Sequence, residues 1–251
     1  MNHDSMQHFS SGAWTLVLAY AVSVIGSLIG LSCMARARRE PGRGAKVLWT
    51  VLGAFAIGGI AIWLMHFIAM LGFDIPGATI KYSAPLTALS AVVAVVVVGV
   101  GLSLVTLVKF TKMRLIIAGV LAGVGVAGMH YLGMSAIRFK GEINYEPSLV
   151  ALSVVIAIAA ATAAFWFTLV VKTTTATVVA GLVMGVAVTG MHFTGMAAVR
   201  VVSDATLAAP QGTTVFNLVF PVFVISGLVV GALLWMLFTS ASSMGEPETA
   251  R

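Results

Sequence analysis

The sequence predicts an all-α integral membrane protein with seven transmembrane helices and a threefold internal helical-hairpin repeat, and three observations carry the prediction. Of its 251 residues, 60% are hydrophobic and only 9% are charged, too few charges to cover a soluble globule. The apolar residues fall in seven stretches, near 14–35, 47–71, 85–108, 114–137, 148–171, 176–199 and 218–239, each close to the ~20 residues that a spanning helix needs. A short pattern around a histidine returns three times at matching places.

Taken in order, the first thirteen residues hold no Lys or Arg and so lack the basic start of a secretory signal. They are expected to remain attached as an extracytoplasmic tail, 1–13. His3, third from the amino terminus, could chelate Cu(II) together with the terminal amine, with Met6 and His8 nearby. A solvated tail is the simpler reading, because any short terminus with a histidine looks the same. Cys33 is the only cysteine, so no intramolecular disulfide is possible and a packing role is expected. The run from Ala91 is rich in β-branched residues, but its length favours a spanning helix over a buried strand. Pro76, Gly77, Pro147, Pro210 and Gly212 mark loops on one side, and Pro41 and Gly42 break the first loop on the other. The expected division is a six-helix membrane unit over 14–199, an outer loop over 200–217, a seventh helix over 218–239 and a cytoplasmic tail over 240–251.

Seven spans place the loops after the first, third and fifth helices on the side of the C-terminus. That side carries Arg36, Arg38, Arg39, Arg43, Lys46, Lys109, Lys112, Arg114, Lys172 and Arg251. The other side has only Lys81, Arg138, Lys140 and Arg200, against Asp4, Asp74, Glu142, Glu146 and Asp204. The positive-inside rule then puts the N-terminus outside and the C-terminus in the cytoplasm of a bacterial inner membrane. The net charge of +6 is explained by this topology and implies no nucleic-acid partner. The bilayer is the partner that composition demands.

The repeated pattern is Met-His-aromatic-x-small-Met: Met65, His66, Phe67 and Met70; Met129, His130, Tyr131 and Met134; Met191, His192, Phe193 and Met196. The histidines are 64 and 62 positions apart, the length of a helical hairpin, so each falls near the outer end of an even-numbered helix. Residues 118–138 and 180–200 agree at twelve of twenty-one positions without gaps. Gly59, Gly123 and Gly185 each lie seven residues before a histidine, two turns back on the same face, which predicts close helix packing on that face. If the helices continue unbroken, the first charges after the motifs (Asp74, Arg138 and Arg200) stand about 12 Å above the histidines.

Apart from Arg114 at the first position of the fourth, no Asp, Glu, Lys or Arg lies in the seven apolar spans, so His66, His130 and His192 are the strongly polar ionisable groups of their interiors. Intramembrane ionisable groups point to function, because burying them without partners is costly. A methionine four positions later shares the histidine's face, and another precedes it. Thioethers select Cu(I) and imidazole suits copper or zinc, while no thiolate or carboxylate is present for iron-sulfur or calcium. The expected metal ligands are His66, His130 and His192 with Met65, Met70, Met129, Met134, Met191 and Met196, and copper fits them best. Haem is the alternative cofactor, although three equivalent ligands suit it poorly. The aromatic residues read first as interface anchors, and Tyr131 alone offers a hydroxyl.

At these residues the sequence resembles the MHYT family of bacterial integral membrane sensor domains, over about 14–199. The resemblance implies a copper site at the motif residues and sensing of oxygen, carbon monoxide or nitric oxide. The motif departs from the family tetrapeptide, with Phe at the aromatic position in two copies and Thr in the fourth place only at Thr194. Many members of the family continue into a cytoplasmic output module. The expectation is therefore a sensing and binding protein rather than an enzyme, signalling through a separate partner. The competing classes are a transporter of copper or a small solute, which the lack of intramembrane carboxylates weakens, and a haem or copper electron-transfer subunit.

Overall fold

The computed structural model describes residues 12–204 and 206–242. His3, Met6 and His8, and all but the start of the expected cytoplasmic tail, lie outside the described residues. Among these there are seven helices long and apolar enough to cross a membrane: α1 (Trp14–Arg39), α2 (Arg43–Met70), α3 (Ala84–Thr106), α4 (Lys112–Met134), α5 (Pro147–Val170), α6 (Thr174–Ala197) and α7 (Val215–Ser242). The starts repeat along the chain. Helices α3 and α5 carry a proline in the first turn, where its missing N–H removes no helical bond. At α4 and α6 the side chains of Thr111 and Thr173 accept hydrogen bonds from the Arg114 and Ala176 amides, each at 3.2 Å, which satisfies donors that a helix start leaves open.

The first six helices close into a ring. Each packs on its neighbours in sequence, and α6 returns to α1. The motif-bearing α2, α4 and α6 alternate with α1, α3 and α5, so successive hairpins are related by an approximate threefold arrangement. Helix α7 lies outside the ring against α1 and the middle of α2. Cys33 is fully buried in the main apolar core, consistent with a packing role.

Close approach depends on glycine, with one departure from the expected register. A Cβ at Gly123 would come within 2.6 Å of the Ile158 amide nitrogen on α5, so only glycine permits this crossing. In the first hairpin the equivalent position is Gly58 rather than Gly59. A Cβ at Gly58 would sit 2.6 Å from the Ala94 carbonyl oxygen, whereas one at Gly59 would make ordinary contact with Val95 at 3.5 Å. The cause is local: residues Phe55–Leu64 of α2 form a π-helix, whose turn holds more residues than an α turn. The residue facing α3 is thereby moved to eight positions before His66.

The motif-end connections differ from plain loops. Helix α4 ends at Met134 and α6 at Ala197, earlier than expected, and short strands follow. Strand β1 (Lys81–Tyr82) pairs with β2 (Ile137–Arg138), and β3 (Gly141–Tyr145) pairs with β4 (Val199–Ser203), both antiparallel. Tyr82 and Thr213 then exchange backbone hydrogen bonds of 2.8 and 2.9 Å. The first connection is thus tied to the second, the second to the third and the third back to the first. This forms a roof over the ring, with Phe73, Ile75, Ile137, Val199 and Val201 buried beneath it. β-Branched residues at alternating places favour strands here, and the ladders satisfy backbone groups that would otherwise be buried unpaired. Arg138 and Arg200 stand on these strands, so the 12 Å expected from an unbroken helix does not describe the histidine depth.

Candidate metal centre

His66, His130 and His192 lie within about one turn of the roof-side ends of α2, α4 and α6. Because the three helices run parallel and alternate around a ring, equal positions along them meet at its axis. The imidazoles are 4%, 1% and 2% exposed, and their ring centroids are 5.0, 5.0 and 5.1 Å apart. The Nδ1 atom of His66 is 3.0 Å from Nδ1 of His192 and 3.2 Å from Nδ1 of His130. One ligand atom from each of the three can be chosen so that all lie within 4.8 Å of one another. Tetrahedral bonds of about 2.0–2.1 Å to a common ion set nitrogens about 3.3–3.4 Å apart, close to the spacing found.

The opposite edges of the rings are also constrained. A Cβ at Gly133 would come within 2.5 Å of His66 Nε2, and one at Gly195 within 2.5 Å of His130 Nε2. The small residue of one motif is therefore the seat for the imidazole of another; the first copy has Ala69 at that place. This role of the small position was not evident from the sequence. His130 Nε2 is buried without a hydrogen-bond partner.

The six motif methionines form two layers. Met70, Met134 and Met196 join the apolar core beneath the roof. Met65, Met129 and Met191 line a cavity of about 50 Å³ on the other side of the histidines. All six are at most 5% exposed. Helical side chains lean toward the helix N-terminus, so the roof-side methionines lean back toward the histidines.

The aromatic residues do not behave as headgroup anchors. Phe67 is buried and stacks on Trp63 at 5.7 Å. Tyr131 and Phe193 stand edge-on to their own neighbouring histidines, both at 4.9 Å. The Tyr131 hydroxyl reaches Ser153 on α5 at 2.8 Å, so its hydrogen bond ties α4 to α5.

Chemically, three imidazoles gathered this closely could hold a cation. A neutral imidazole presents either a proton or a lone pair at Nδ1, and a proton between two of the nitrogens leaves another contact unsatisfied. A cation would accept all three lone pairs and leave the proton on each Nε2.

The sequence matches the MHYT family, described as a bacterial signalling protein N-terminal repeat, over residues 59–118 and 123–181. These ranges contain His66 and His130 and stop short of His192. The chain is 38% identical over 184 residues to the bifunctional diguanylate cyclase/cyclic di-GMP phosphodiesterase MucR of Pseudomonas aeruginosa, covering 71% of this chain and 26% of that protein. It is 37% identical over 172 residues to the cyclic di-GMP phosphodiesterase NbdA of the same organism, covering 66% and 21%. It is 32% identical over 215 residues to the signaling protein YkoW of Bacillus subtilis, covering 82% and 26%. The chain thus spans about a quarter of the length of these curated relatives. No solved structure matches it.

Proposed function

Because the chain belongs to the MHYT family of bacterial membrane signalling repeats, we propose that this multi-pass membrane sensor holds one metal ion, copper, on His66, His130 and His192 and reports the binding of a small gas molecule to a separate signalling partner. The observation that carries this reading is the pair of buried Nδ1 contacts at 3.0 and 3.2 Å. Copper is favoured over zinc because six thioethers flank the imidazoles, and soft sulfur favours Cu(I). A single small ion is favoured over haem, because imidazole centroids about 5 Å apart leave no space for a macrocycle between them. Three imidazoles leave a coordination position open, which reversible ligand binding requires. Oxygen, carbon monoxide and nitric oxide are the ligand class, and the output partner is read from the cyclic-di-GMP enzymes named among the relatives.

Elemental analysis and optical spectroscopy of the purified protein test the metal. About one copper per chain is expected in the wild type, with loss of stoichiometric binding when all three histidines become alanine. Single leucine replacements of Met70, Met134 or Met196 should weaken Cu(I) relative to Cu(II). A folded triple-histidine variant that keeps copper at wild-type affinity overturns the centre, and a Soret band replaces copper with haem.

A further inference from the structure

The cavity beneath the histidines carries an inference beyond the metal site, although it rests on that reading for the ligand's chemistry. It lies on the side away from the roof and has a volume of about 50 Å³, more than the roughly 10–15 Å³ that a single small guest such as water requires. The three histidines close one end, and Met65, Met129, Met184 and Met191 form much of the wall. Apart from the histidine end, a wall this apolar suits apolar guests. One polar group breaks the lining. Ser27 of α1 is fully buried, lines the cavity, and has a hydroxyl without a hydrogen-bond partner. A buried hydroxyl left unpaired costs stability, so its persistence in an apolar wall needs a cause.

Access follows from the two boundaries. On the roof side, Met70, Met134 and Met196 and the paired strands cover the histidines. On the bundle side, part of the wall is α5, where Ala160, Ala161 and Ala164 are only half-buried. Toward the bilayer the cavity is therefore screened by side chains of a single carbon. A small apolar molecule already concentrated in lipid meets only alanine side chains along this part of the wall.

We propose that this cavity is the ligand chamber of the sensor, that it fills from the bilayer rather than through the roof, and that the Ser27 hydroxyl donates a hydrogen bond to the ligand held against the histidines. The ligand class is a small uncharged molecule of about two heavy atoms with an atom that accepts a hydrogen bond. Ser27 then sets selectivity, since a ligand that accepts hydrogen bonds strongly gains more from it than a weak acceptor does.

The test uses the full chain in lipid nanodiscs with two readouts. In metal-free protein carrying ¹³C-methyl methionine, dissolved oxygen serves as a paramagnetic probe of location. Selective broadening of the Met65, Met129, Met184 and Met191 methyls over those of Met70, Met134 and Met196 is expected; equal or stronger broadening at the roof methionines overturns the chamber. In Cu(I)-loaded protein, carbon monoxide serves as the ligand probe. Carbon monoxide is a weak acceptor, so Ser27→Ala should raise its dissociation rate about twofold to threefold, the low end of one ordinary hydrogen bond, with copper content unchanged and Ser27→Thr restoring the wild-type rate. An unchanged rate in Ser27→Ala overturns the donor role. A wild-type protein that takes up no copper sinks the metal reading and the donor role with it, while the methyl readout still decides the chamber.

Discussion

At the scale of the residue, the three imidazoles of the histidine cluster meet in front, and two of them are also held from behind. Gly133 and Gly195 leave no space for a larger side chain behind His66 and His130. The first copy keeps only Ala69 at that position, so the seats are similar but unequal. Gly133→Val should therefore push the His66 ring out of register while leaving the helix backbone in place, because an imidazole can rotate where a backbone cannot. Copper affinity is expected to fall about 10- to 100-fold, the range seen when groups that orient metal ligands are lost, with the melting temperature nearly unchanged. Isothermal titration with copper beside thermal unfolding separates the two. A variant with wild-type affinity would show that the glycine seat does not position the ring.

At the scale of the element, the π-helical stretch of α2 and the roof are the parts that sequence alone did not reveal. A helix that is apolar all round has no polar face to betray its phase, so the extra residue in the turn at Phe55–Leu64 could not be read from periodicity. The aligned Gly59 looked like the packing glycine, and the contacts fall on Gly58. Gly58→Leu should destabilise the protein by about 1–3 kcal/mol or more through overpacking against α3, and Gly59→Leu by clearly less; denaturation of both variants in detergent checks the order. The strands were hidden for another reason, since β1 and β2 have two residues each and gain their pairing from connections far apart in sequence. By contrast, the convergence of the histidines was legible, because hairpin spacing fixes helix direction and the motif fixes depth. The roof also has a pH signature. Burial first, with Asp74 second, pushes the Tyr82 phenol up to about 12, and burial first, with Tyr131 second, pushes Tyr145 up to about 12. A phenol whose folded value is raised contributes stability fully below its ordinary value near 10, and that contribution is lost as pH rises toward 12. Ultraviolet titration should show these two tyrosinates only at the alkaline end, together with loosening of the roof. Phenylalanine at both positions should remove the late step.

At the scale of the whole molecule, charge and anchoring divide the bundle into two unlike ends. The motif end is closed by paired strands and carries few basic residues. At the opposite end Arg36 donates to the Ser240 carbonyl at 2.8 Å, pairs with Glu40 at 3.1 Å and lies over the Trp49 ring at 5.9 Å. Arg38 donates to the Val171 carbonyl at 2.6 Å. These contacts tie α1 to the end of α7 and to the α5–α6 connection. The bias of basic residues in the loops predicts that this end faces the cytoplasm. Alkaline phosphatase fusions decide the orientation, because that enzyme folds to activity only after export. A fusion after Lys46 should be inactive and one after Ala78 active. The reverse pattern would place the roof and the histidine cluster on the cytoplasmic side and overturn the topology read from the loops.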